Sequence, residues 1–316
     1  MSLPPNSDAP QRPASTRPTP PKPRRGLRPL TWLLLLAIIG SFTATQIPLE
    51  IGRWHLASAI NRRDKDQKEA AYRELDAAIA RFPKSPELLL QRAEWRLDDG
   101  QQEEALADCD RMLEVSGGEY KWLAAHSLFF QNAGHFDRAM DDWKKIEEFS
   151  ERSGIPSRAT ALNGLAYAQA LAKSELDDAL KNVNQALELE PNTAAMLDTR
   201  GYIYYLQGDY DSAIGDLNTA TNAMDEELEI VRKAMGKDTG HSASTERRST
   251  ARPKTLAELE RAPDISTEHA RVARVAATGH YHRAQALAAQ GQKEEAEKDL
   301  AQARQLIGRE PDESLF

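Results

Sequence analysis

From residue 52 onward, apolar side chains recur three and four positions apart, the spacing that gathers them on one face of an α-helix. In "LDTRGYIYYLQGDYDSAIGDLNTA", residues 197–220, this spacing predicts two helical runs joined at Gly208. Small residues stand at Gly201, Ala213 and Ala220, with Leu197, Tyr204 and Leu217 bulky between them. An ordinary amphipathic helix needs an apolar stripe, yet it does not need small members at set places. The small positions therefore point to backbones that must approach closely.

Shifted by multiples of about 34 residues, the same alternation returns along the chain. Ala71, Leu75, Ala78 and Pro83 form one copy, and Ala93, Gly100, Ala105, Cys109 and Met112 the next. Gly134, Ala139, Trp143 and Ile146 form a third, then Ala168, Ala179, Val183, Ala186 and Pro191 a fourth with one residue missing from its turn. The last copy holds Ala284, Gly291, Ala296, Leu300 and Ala303.

These residues resemble the tetratricopeptide repeat, a unit of helix, turn and second helix. The resemblance places units at 52–85, 86–119, 120–153, 160–193, 194–227 and 277–310. It implies an all-α, right-handed superhelix of about six helix-turn-helix repeats, since one unit cannot bury its apolar face without neighbours. Gly201, Ala93 and Ala284 are then the points where the first helix presses on the second, and a bulky side chain there would force the axes apart. Gly100, Gly134, Gly208 and Gly291 end first helices in the left-handed conformation, and Pro83 and Pro191 close second helices.

Two stretches depart from the period. Residues 154–159, "GIPSRA", are a short insert expected to loosen the joint between the third and fourth units. The larger one is 228–276. Ala213, Leu217, Ala220, Met224, Leu228, Val231 and Met235 form one continuous seam, so the second helix of the fifth unit is expected to run past its usual end. Residues 236–254, polar and rich in Gly, Ser and Thr, then read as a mobile loop. Helix resumes with a cap expected at Ser266. The two lengthened helices are expected to pair as an antiparallel antenna.

Residues 1–29 are rich in Pro, Ser, Thr and Arg and nearly devoid of apolar side chains, which predicts a disordered tail. Residues 30–49, "LTWLLLLAIIGSFTATQIPL", carry no charge and as a helix would rise about 30 Å, the thickness of a bilayer core. This is the expected single transmembrane helix. Lys22, Arg24, Arg25 and Arg28 crowd its amino-terminal flank, so the positive-inside rule places the tail in the cytoplasm and the repeats beyond the membrane. A cleaved signal peptide and the opposite orientation are the rival readings; the long basic region and the poor small-residue site at Thr43, Ala44 and Thr45 argue against cleavage. The expected organisation is thus a tail at 1–29, an anchor at 30–49, five repeats over 50–227, an insertion at 228–276, a sixth repeat at 277–310 and a tail at 311–316.

Charge narrows the partners. The chain of 316 residues carries a net −8, but the first 48 residues carry +5 and the remainder −13. Nucleic acid is excluded as a partner for so acidic a region, because phosphate binding needs clustered Lys and Arg. No HExxH, GxxxxGK[ST], GxSxG or CxxC is present, so the chain is read as no enzyme, with no cofactor and no metal. Cys109, alone in the chain, sits at a core position of the repeat. His280 and His282 are two apart on a helix and point in nearly opposite directions, which denies them a shared ion. The stretch "ERRSTARPK" reads as a solvated loop in preference to an anionic-surface patch.

The resemblance further implies a concave groove lined by first-helix residues, which carry here onto Gln91, Glu94, Gln131, Asn132, Gln169, Asp198, Thr199, Tyr202, Tyr205, Tyr281 and Gln285. Amide and tyrosyl groups suit an extended peptide, bonding its backbone and covering its side chains. The Lys and Asn with which chaperone-cofactor members of the family clamp a carboxyl-terminal peptide are absent; Leu56, Leu90 and Ala124 stand there. The expectation is a membrane-anchored scaffold of the inner membrane with its repeats on the periplasmic side, binding a protein or peptide client in envelope protein assembly or quality control. A self-associating structural protein, a homo-oligomer, and a receptor with cytoplasmic repeats are the alternatives.

Overall fold

The repeat begins with a choice at every turn between continuing a helix and reversing it, and small local signals settle each one. Ser85 precedes Pro86 and accepts a hydrogen bond from the Leu88 amide at 3.4 Å, so a helix starts there with its first donors satisfied. Gly208 takes φ 84° and its amide bonds back to Tyr205, ending the preceding helix in the left-handed region that glycine adopts without steric cost. The fourth unit's turn has lost a residue and has no glycine; Lys173 and Glu175 take φ of 50° and 51° instead.

In the computed structural model the described residues are 51–153, 158–240 and 265–311. They form twelve helices and no strand. Helix α1 covers 51–63, and α2 Lys68–Arg81, α3 Pro86–Asp98, α4 Gln102–Val115, α5 Tyr120–Asn132 and α6 Phe136–Ser153 follow. Then come α7 Arg158–Leu171, α8 Leu176–Leu189, α9 Ala194–Gln207, α10 Tyr210–Gly240, α11 Ile265–Ala289 and α12 Lys293–Ile307. Odd-numbered and even-numbered helices pair as hairpins, and the hairpins stack into a superhelix. The tail at 1–29, the apolar segment at 30–49 and residues 241–264 lie outside the described residues. No helix among the described residues is long and apolar enough to cross a membrane.

The small residues are where helices touch. A Cβ added to Gly201 on α9 would lie 2.6 Å from Leu217 Cγ on α10, closer than carbon atoms can pack, and in tight contact at 3.1 Å with the Ala213 carbonyl oxygen. Ala71, Ala93, Ala105, Ala139, Ala168, Ala179, Ala213, Ala220 and Ala303 are fully buried. The apolar interior is a row of successive clusters rather than a single centre. One runs from α1 to α7 and another joins α7, α8 and α9. Those that follow carry it through α10, α11 and α12. That row is what stacking predicts, because each hairpin completes its neighbour's core.

Three sequence expectations are corrected. The joint after residues 154–157 is packed, not loosened: Ala159 is buried, Arg158 Nε donates to Glu147 Oε1 at 2.8 Å, and Gly164 sits beneath the Trp143 ring. Helix α10 extends through residues 236–240, the start of the stretch expected as a loop, because helical hydrogen bonds are made by the backbone and do not need an apolar seam. Helix α11 is already under way at Ile265, so Ser266 stands inside it and is no cap. The lengthened ends of α10 and α11 pack together through Met224, Leu228, Val272, Ala273 and Ala276.

Candidate functional site

The repeat aligns more than its apolar residues. Arg92 on α3 donates two hydrogen bonds, 2.7 and 2.6 Å, to Asp108 on α4, and a third of 2.7 Å to Asp76 on α2. Arg200 on α9 does the same with Asp216 on α10, at 2.6 and 2.9 Å, and with Asn184 on α8 at 3.1 Å. Arg283 on α11 bonds Asp299 on α12 at 2.7 and 2.6 Å and Asn218 on α10 at 3.2 Å. His126 on α5 takes the equivalent place, Nδ1 2.5 Å from Asp142 and Nε2 3.1 Å from Asp110.

In each case one first-helix Arg or His ties its own second helix, sixteen residues on, to the second helix of the preceding unit. Between Arg283 and Asn218 the separation is 65 residues, where the other units show 16. The excess of 49 equals the length of 228–276, so the sixth hairpin docks on the fifth as if that stretch were absent. Burial pushes the Asp299 carboxyl up, but hydrogen bonds from Arg283 and His280 outweigh it and hold it below the usual carboxylate range. The ladder is a structural element that the sequence reading missed; its signal is Arg or His followed sixteen residues later by Asp, in register with the repeat.

Other residues of the first helices border an open space. There a cavity of about 1060 Å³ is lined by Leu90, Glu94 and Asp98 of α3, and by Leu128, Phe129, Gln131 and Asn132 of α5. Phe136, Leu171, Lys173 and Tyr202 continue the wall, and Arg274 of α11 and Arg309 beyond α12 also border it. Glu94 is open to solvent yet walled by protein. Desolvation, with Asp98 nearby, raises its carboxyl pKa against the opposing pull of Arg274.

The predicted groove residues divide. Glu94, Gln131, Asn132 and Tyr202 line the cavity, and Gln91 donates to Glu94 Oε2 at 3.3 Å beside it. Gln169, Asp198 and Thr199 are interior instead. Gln169 bonds Glu175 at 2.9 Å and Asn182 at 3.0 Å, bracing the turn that lacks glycine. The Asp198 carboxylate lies 3.0 Å from His282 Nδ1, and the Thr199 hydroxyl donates to the Ala195 carbonyl at 2.9 Å. They are covered because α7, α9 and α11 pack side by side at this end, which shuts part of the expected groove.

The same packing builds an aromatic cluster. Tyr202 stacks on His282 at 4.2 Å and on Tyr205 at 6.1 Å, with Tyr167 edge-on to both Tyr202 and His282. Tyr202 is therefore only 4% exposed, a wall of the cavity more than a reaching contact. Tyr205, Tyr281 and Gln285 are half-buried and do not line the cavity.

His280 and His282 each face their own carboxylates, Asp299 and Asp225 for the first and Asp198 for the second. Among the described residues no three His, Cys, Asp or Glu side chains gather as metal ligands. Cys109 is fully buried and desolvation pushes its thiol well up, away from nucleophile chemistry.

The family model described as tetratricopeptide repeat matches residues 169–227. No curated protein matches the chain. Among solved structures, the chain is similar to PilW, a widely conserved type IV pilus biogenesis factor. Identity is 12%, with 84% of this chain and 96% of that one covered at a TM-score of 0.48. It is also similar to pilF of Pseudomonas aeruginosa, at 12% identity, coverage of 82% and 93%, and a TM-score of 0.44. A tetratricopeptide repeat protein from Parabacteroides merdae matches at 16% identity, coverage of 81% and 93%, and a TM-score of 0.44.

Proposed function

We propose that this array of tetratricopeptide repeats is a non-enzymatic protein-interaction scaffold that holds an extended segment of a protein partner against its first helices. The observation that carries the reading is the cavity of about 1060 Å³, where exposed apolar, amide and charged side chains share one concave wall. Such a wall offers what an extended chain needs: amides for its backbone and apolar recesses for its side chains. Leu128, 48% exposed, supplies an apolar surface inside that wall.

The finer reading keeps residues 30–49 as a membrane anchor with the repeats on the periplasmic side of the inner membrane. Anchoring confines the groove to a thin layer and raises its effective concentration toward neighbouring membrane proteins. That arrangement suits assistance in assembly or quality control of envelope proteins. The test is recovery of co-purifying proteins from solubilised native membranes with the full chain and with a Leu128→Trp, Asn132→Trp variant. Filling the cavity is expected to lower recovery about tenfold; unchanged recovery contradicts the reading.

A further inference from the structure

The cavity is chemically two-sided. Glu94 and Asp98 reach it from α3, in the amino-terminal part of the array, while Lys173, Arg274 and Arg309 reach it from later elements. Arg274 belongs to the part of α11 that precedes the sixth unit, so the insertion itself supplies a wall of the groove. Gln131 adds an independent sign of a missing donor. It is 5% exposed, lines the cavity, and its Oε1 is shielded from water without a hydrogen-bond partner. A ligand's N–H offered there would satisfy that acceptor.

Resting on the groove reading above, we infer that the occupant is an extended polypeptide segment bearing one cationic and one anionic side chain separated by apolar residues. Its Lys or Arg meets Glu94 and Asp98 and offers a donor toward Gln131, and its Asp or Glu meets Arg274 and Arg309. Leu90, Leu128 and Phe129 cover the apolar residues between. A segment of one sign gains one wall and is repelled by the other, so selectivity comes from the repulsive wall as much as from the attractive one. Carboxylates alone would not distinguish this from a solvated acidic patch; the opposing cations and the unsatisfied amide oxygen do.

The test uses the full chain in detergent micelles and fluorescent synthetic peptides of about twelve residues, long enough to span ~40 Å when extended. One pair of probes carries a Lys and an Asp flanking a Leu-rich centre in either order, and two further probes carry two Lys or two Asp. Fluorescence anisotropy is expected to show one zwitterionic order binding at least tenfold tighter than either single-sign probe. Glu94→Lys is expected to weaken that probe about tenfold and to favour the two-Asp probe, and Arg274→Glu to favour the two-Lys probe. Circular dichroism melting of both variants checks that they fold. Equal binding of all probes, preference for a single-sign probe in the unaltered protein, no binding of any probe, or indifference to both substitutions overturns the inference. If proteins are still recovered through the cavity in that event, the scaffold reading stands and only its charge chemistry falls.

Discussion

At Gly201 one methyl group separates a packed hairpin from a strained one. In an open helix, exchanging Gly for Ala gains up to about 1 kcal/mol because the unfolded chain loses freedom. Gly215 on α10 is such a place, with nothing within 4 Å of an added Cβ. At Gly201 the added atom meets Leu217 Cγ at 2.6 Å. Gly215→Ala is therefore expected to raise stability by ~0.5–1 kcal/mol and Gly201→Val to lower it by ~1–3 kcal/mol, read from urea denaturation midpoints. Shifts of the same sign in both would contradict close approach at Gly201. The close approach at Gly201 was legible in the sequence, since Gly201 stands in register with Ala93 and Ala284. The polar ladder is harder to see: its sixteen-residue spacing is in the sequence, but nothing there says that the spacing joins helices. Arg92 and Asp108 read as two ordinary surface charges on separate helices until folding brings them together.

At the scale of an element, α11 shows how one helix carries a joint. His280 faces Asp299 of α12 at 3.0 Å and Asp225 of α10 at 3.2 Å, with Arg283 Nη2 3.5 Å away on its own helix. Burial lowers its pKa, but hydrogen bonds and charge from the two carboxylates outweigh burial, and the net direction is up from the ordinary 6.5. A folded pKa above the unfolded one adds stability that is full below about 6.5 and is lost as pH rises through the folded value. The denaturation midpoint of the unaltered chain should thus exceed that of His280→Gln by an amount that shrinks as pH is raised from 6 upward; a gap that widens would contradict the assignment. The length of α10 was partly readable, because Met224 and Leu228 continue its apolar seam, while residues 236–240 carry no seam to read. Gln169, Asp198 and Thr199 were misplaced for a related reason. Helical pitch gives the face on which a residue lies but not which neighbour later covers that face.

For the whole molecule, the period reveals that hairpins stack, but the accumulated curvature is a sum of small rotations at each joint. That curvature brings Arg274 of α11 to the same cavity as Glu94 of α3, a meeting that no spacing in the sequence announces. The 49-residue excursion between the fifth and sixth units therefore both leaves the stacking intact and shapes the groove. The most direct measurement is photocrosslinking in native membranes from three positions: Asn132 in the cavity, Lys181 on the outer face of α8, and Ser242 in the insertion. The account expects protein adducts from Asn132 and none from Lys181 or Ser242. Adducts from Lys181 or Ser242 with none from Asn132 would contradict it.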